Sequence, residues 1–151
     1  MRTIAYYSSF LGLICLQAED NYLVALDFVE EKNFSEDFTN PLLNEAKRQL
    51  DEYFQKKRTN FLLPYKFKGT VFQEKVWQEL SKIPYGTTIS YQELAKRVDS
   101  PLAVRAVGGA NNRNPLSIII PCHRVIGKNG QLIGYGGGLW RKEALLKLEN
   151  K

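Results

Sequence analysis

The chain has 151 residues, 44% of them hydrophobic and 25% charged, and a net charge of +5. Those proportions exclude a disordered or fibrous chain, its two cysteines exclude a disulfide framework, and its single histidine excludes most protein-built zinc sites. The charge is uneven: residues 1–63 carry 7 Lys/Arg against 10 Asp/Glu, net −3, and residues 64–151 carry 14 against 6, net +8. Two modules are therefore expected, 1–63 and 64–151, the second suited to an anionic partner such as nucleic acid.

Residues 3–7, 11–17 and 22–29 read as strands, with turns at Ser8-Ser9 and Asp20-Asn21. Tyr6, Tyr7, Ser8 and Ser9 interrupt the apolar run after Arg2, so strands explain it better than a signal peptide. No stretch approaches the roughly 18 apolar residues of a membrane span. An intracellular setting with reduced thiols is expected. Residues 41–57 read as a helix with Pro41 in its first turn, Leu42, Leu43, Ala46, Leu50, Tyr53 and Phe54 at helical spacing, and Lys56-Lys57-Arg58 at its end.

After a linker at 61–64, Thr70 and Gln73 form a capping-box pattern ahead of Val71, Phe72, Val76, Trp77 and Leu80. Ser90 and Glu93 repeat it for a short helix through Val98. Pro101 is expected to open a third helix, running through Val107 and weakened at Gly108-Gly109. This order in a basic module is a helix-turn-helix pattern. The glycine pair asks for close approach of a backbone, from protein or nucleic acid. Ile118-Ile119-Ile120 reads as a strand buried on both faces, followed by Pro121-Cys122-His123-Arg124. Lys128-Asn129-Gly130 reads as a turn, residues 135–138 as a loop, and 139–149 as a last amphipathic helix with Leu145, Leu146 and Leu148.

Cys122 is the candidate nucleophile. A thiol is intrinsically nucleophilic but needs a base or positive surroundings to ionise, and His123 and Arg124 supply both residue types. Neighbours on a straight strand point to opposite faces, so a Cys122–His123 partnership requires a bend or an intervening water. A buried structural cysteine is the competing reading, and it is the reading adopted for Cys15.

Pro121-Cys122-His123-Arg124-Val125 resembles the active-site motif of the O6-alkylguanine-DNA alkyltransferases. Ser90-Tyr91-Gln92-Glu93-Leu94-Ala95, Arg105-Ala106-Val107-Gly108-Gly109-Ala110, Asn114-Pro115 and Gly137-Gly138-Leu139 resemble the same family, in its order and spacing. The resemblance implies an α+β protein: a three-stranded sheet and helix, ribonuclease H-like, followed by a winged-helix-turn-helix module. It implies direct, single-turnover transfer of an alkyl group from O6-alkylguanine, and from O4-alkylthymine, in duplex DNA to Cys122. His123 is then the base acting through a water, Glu149 the acid orienting it, Asn114 the brace of the active-site turn, and Tyr91 the group that aids base rotation and protonates the leaving guanine. Arg105 is the finger replacing the flipped base. Tyr91, Ala106, Gly108, Gly109, Ala110 and Arg124 would contact the minor groove, and Pro121, Val125, Tyr135, Gly136 and Gly137 would line the pocket. Gly136 stands where some members have serine, and Ile133-Gly134 where others have a glycine and a polar residue. No metal or cofactor is implied; the expected state is a monomer, in the cytoplasm or, in a eukaryote, the nucleus.

Three other readings compete. A non-catalytic lesion-binding protein would lack the acceptor, yet Cys122 is present. A sequence-specific regulator needs polar side chains for base edges, and Arg105 is the one charged residue between Pro101 and Ala110. A cysteine hydrolase would not explain the helix-turn-helix or the charge.

Overall fold

The computed structural model describes residues 2–150 and divides into two compact units, Met1–Phe67 and Lys68–Lys151. In the first, β1 (Thr3–Ser9), β2 (Gly12–Glu19) and β3 (Tyr22–Val29) form an antiparallel sheet in the order β1-β2-β3. Asp20 and Asn21 take φ of 52° and 66°, the left-handed conformation that a tight hairpin turn matching strand twist requires. The first turn falls at Phe10-Leu11 rather than the expected Ser8-Ser9. Ser9 pairs with Gly12 across the ladder, and its hydroxyl donates to Gly12 O and accepts from the Leu11 N–H, which carries both strands closer to the tip.

α1 (Pro41–Phe54) packs on β1 and β2 and buries Leu43, Ala46, Leu50 and Tyr53 against sheet residues such as Ala5, Ile14 and Leu16. Asn40 caps it, Oδ1 accepting from the N–H groups of Leu42 and Leu43. The helix stops at Phe54, not at 57: Lys56 enters the left-handed region, and the Lys56 and Lys57 N–H groups turn back to Tyr53 O and Glu52 O. Residues 64–66 continue the same unit, with Leu23 N donating to Pro64 O and Lys66 N to Leu23 O. Cys15 lies buried in β2.

The second unit contains α2 (Val71–Leu80), β4 (Ile89–Ser90), α3 (Tyr91–Arg97), α4 (Val104–Asn112), β5 (Val125–Ile126) and α5 (Leu139–Glu149). Both halves of the Thr70/Gln73 capping box form, and Ser90 caps α3 through the Glu93 N–H. Gly69 is required by packing, since a Cβ there would lie 2.6 Å from the Trp77 ring. Trp77 Nε1 donates to Ala110 O at 2.8 Å, fixing α2 to α4. β4 and β5 form a two-residue parallel ladder.

Two expectations fail here for backbone reasons. Pro101 does not open the third helix. Residues 100–103 form a turn closed by Ala103 N donating to Ser100 O, and α4 begins at Val104 and runs through Gly108-Gly109 to Asn112. The isoleucine run is not a strand. Ile118 has φ of 73°, and Ile119 N and Ile120 N donate locally to Ser117 O and Leu116 O. Burial of Ile118 and Ile120, not sheet pairing, explains the apolar run. A β-branched residue in the left-handed region costs of the order of 1–3 kcal/mol, so its surroundings must over-determine it.

Candidate active site

Asn114 is one such determinant. Its Nδ2 donates to Ile120 O at 2.7 Å and its Oδ1 accepts from Leu116 N at 3.0 Å, so one buried side chain clamps both ends of the strained turn. The chain leaves it through Pro121 into a single 3-10 turn, Cys122–Arg124. That turn supplies the bend a straight strand would not. Cys122, His123 and Arg124 are all buried, and the Cys122 residue is 4% exposed.

Below the thiol runs a charge chain. His123 Nε2 lies 2.7 Å from Glu149 Oε2, at the end of α5. Bonded to a carboxylate, Nε2 carries the proton, which leaves Nδ1 as the free base position; Nδ1 has no hydrogen-bond partner among the described residues. Arg124 corrects its sequence assignment. Instead of facing a duplex, its Nε and Nη2 donate to Glu149 at 2.8 and 3.0 Å and its Nη1 donates to Ile83 O at 2.7 Å. It neutralises and aims the acid. These bonds from His123 and Arg124 hold the Glu149 carboxyl well below the usual carboxylate range despite its burial.

Burial acts on the other two groups in opposite senses. It raises the Cys122 thiol, opposed by hydrogen bonding from Asn114 and the charge of Lys142, and it lowers the His123 imidazole, opposed by Glu149. Burial thus favours the neutral form of both groups, and among the described residues no hydrogen bond joins the thiol to His123 Nδ1, so a proton passing between them needs a bridging water.

Lys142 was invisible as a site residue. It sits on the buried stripe of α5 with Leu145 and Glu149, at spacings of three and seven, and that stripe was the signal available in the sequence. Of the expected apolar positions Leu145, Leu146 and Leu148, Leu145 alone is fully covered. The Lys142 ammonium donates to Ile133 O at 2.9 Å, Gly134 O at 3.2 Å and Tyr91 Oη at 3.4 Å. Desolvation pushes it down to about 8, while the thiol's negative form draws it up. Tyr91 in turn donates its hydroxyl proton to Ile133 O at 2.7 Å. Lys142→Met should remove a cation that favours the thiolate, raise the Cys122 pKa, and slow its carbamidomethylation at pH 7.5 about tenfold. The rate of iodoacetamide labelling against pH checks it.

A cavity of about 580 Å³ lies outside this wall, lined in part by Tyr91, Arg105, Gly108, Asn112, Ile133 and Gly134. It stops short of Cys122. Arg105 and Ala106 are exposed on α4, whereas Ala110 is buried beneath Trp77 Nε1. Pro121, Val125 and Tyr135 are buried and Gly136 is exposed. A Cβ on Gly108 would meet only the Tyr91 ring, at 3.8 Å, an ordinary contact. Packing within this unit thus does not demand glycine there.

The geometry defines a class: a helix-turn-helix unit carrying a buried cysteine that adjoins, in one 3-10 turn, an imidazole held by a carboxylate. Residues 71–151 match the family described as 6-O-methylguanine DNA methyltransferase, DNA binding domain, and residues 3–67 match its ribonuclease-like domain. The chain belongs to the 6-O-methylguanine DNA methyltransferase family. A methylated-DNA–protein-cysteine methyltransferase of Mycobacterium leprae is 60% identical over 105 residues, covering 70% of this chain and 64% of the relative. The constitutive enzyme of Bacillus subtilis is 53% identical over 144 residues, covering 90% and 87%. A crystal structure of Mycobacterium tuberculosis OGT in complex with DNA superposes with a TM-score of 0.90 at 42% identity, covering 97% of this chain and 92% of that one.

Proposed function

We propose that this chain repairs duplex DNA by moving the alkyl group of O6-alkylguanine, and of O4-alkylthymine, onto Cys122, once per molecule. The observation that carries the reading is the buried Cys122–His123–Glu149 constellation with a free imidazole Nδ1. Sγ attacks the alkyl carbon, the carbon–O6 bond breaks, and its electron pair passes into the guanine ring. The thiol proton passes to His123 Nδ1 through one water, a proton from Tyr91 completes the guanine, and the imidazolium's proton returns to the tyrosinate by way of solvent. Thiol and alkyl ether become thioether and guanine. A thioether has no good leaving group, so nothing regenerates the thiol.

O6 of a paired guanine is inside the stack, so the base must be extruded. α4 fits that task from the minor groove: Arg105 is exposed to fill the space left, and Ala106, Gly108 and Gly109 let backbone come close. That Gly108 is not needed for packing within the unit supports an outside partner. The +8 charge of residues 64–151 suits phosphate contacts blind to sequence. The chain acts as a monomer, in the reducing cytoplasm (or nucleus of a eukaryote) that a free nucleophilic thiol requires.

With excess methylated duplex, intact mass should rise by one methyl per chain and stop, and peptide mapping should place it on Cys122. Cys122→Ser should bind DNA and gain nothing. Continued turnover, or a methyl on Cys15, would refute the assignment.

A further inference from the structure

Asn111, in the last turn of α4, is 1% exposed, and its amide is half satisfied. Nδ2 donates to the backbone carbonyl of Cys122 at 3.4 Å and meets the Tyr91 hydroxyl. Oδ1 has no hydrogen-bond partner among the described residues. The amide cannot be turned over to cure this, because the Cys122 carbonyl only accepts and would then face a second acceptor. A buried acceptor without a donor is costly, and folded proteins rarely retain one without use. Here it lies between the nucleophile's backbone and Tyr91, the residue on the cavity wall. Through Tyr91, which lines the cavity, and the Cys122 carbonyl, Asn111 touches both the cavity wall and the nucleophile's backbone.

We propose that Asn111 is a specificity-determining residue: its side-chain oxygen accepts a hydrogen bond from the amino-bearing edge of the extruded alkylguanine and selects it over bases lacking that amino group. The inference rests on the alkyl-transfer reading above. A site built to bond a substrate N–H discriminates against the analogue without it, because the protein group is then left buried and unpaired. Bases with no amino group, including O4-alkylthymine, fall on the disfavoured side.

The test compares duplexes carrying O6-methylguanine or O6-methylhypoxanthine, which differ in the 2-amino group, by single-turnover transfer to the full chain. Wild type should prefer methylguanine by about tenfold or more, and Asn111→Leu, of similar volume, should lose about tenfold on methylguanine with little change on methylhypoxanthine. Equal loss on both duplexes, or a variant that no longer folds, would make Asn111 a structural residue and overturn the proposal. Equal wild-type rates on the two duplexes would overturn it without any variant. Wild type that transfers from neither would instead sink the alkyl-transfer reading itself.

Discussion

Replacing Glu149 by alanine should destabilise the protein by about 3–5 kcal/mol, the scale for removing one partner of a buried ion pair. The loss is large because two buried groups depend on this carboxylate. Of its hydrogen bonds to the described residues Arg124 keeps the one to the Ile83 carbonyl, and His123 loses the acceptor that fixes its tautomer. Against a typical stability of 5–15 kcal/mol this is a major fraction. Urea denaturation of the full chain measures it. Alkyl transfer should fall by about 10²-fold or more in the folded remainder, since the base is no longer oriented. The acid profile follows from the same groups. His123 is held below its ordinary value, so stability should begin to fall as pH drops under about 6.5, where the unfolded histidine takes up a proton and the folded one resists it. Glu149 is also held below its ordinary value, so its contribution is complete above about pH 4.3 and lost as pH falls toward the folded value. Glu149→Gln should flatten that second limb; an unchanged acid limb would mean that other carboxylates govern it.

Arg105→Ala should lower the rate on methylated duplex by about 10²-fold, equivalent to about 3 kcal/mol, while leaving reaction with free O6-benzylguanine nearly unchanged. The side chain is exposed at the start of α4 and lines the outer cavity, away from the thiol. Its contribution is therefore to the extruded state of the duplex, which the free base does not need. Parallel single-turnover assays separate the two. Equal loss on both would place Arg105 in the pocket or the fold.

The elements legible in the sequence were those whose signals are local. Thr70/Gln73 and Ser90/Glu93 set helix starts to the residue, and the strand runs set off by turn residues and the stripe in α1 set the first unit. Cys122 and His123 stood out by residue type and motif, whereas Glu149 was reachable only through the family resemblance; the structure brings His123 and Glu149 together at 2.7 Å. What failed was governed by contacts distant in sequence. Asn114 and its turn hold Ile118 in a conformation no propensity favours, so three isoleucines read as a strand. Arg124 was assigned to the minor groove by the family resemblance, and nothing local marks it otherwise, since the carboxylate it pairs with lies 25 residues away. Lys142 was hidden likewise, since the backbone carbonyls that satisfy a buried ammonium leave no mark in a sequence.

The wall formed by Tyr91, Ile133 and Lys142 bears on how long the molecule stays usable. A protein that spends its nucleophile once is a stored reagent, and its shelf life in a cell is set by side reactions. Peroxides and small disulfides react with exposed thiolates. Cys122 is neither exposed nor, with its raised pKa, appreciably ionised at rest. Cys122 does not line the cavity, and Tyr91 and Lys142 are both bonded to the carbonyl of Ile133 on its wall. Oxidants therefore meet a thiol that is covered and held toward its protonated form, and the reagent keeps until it is used.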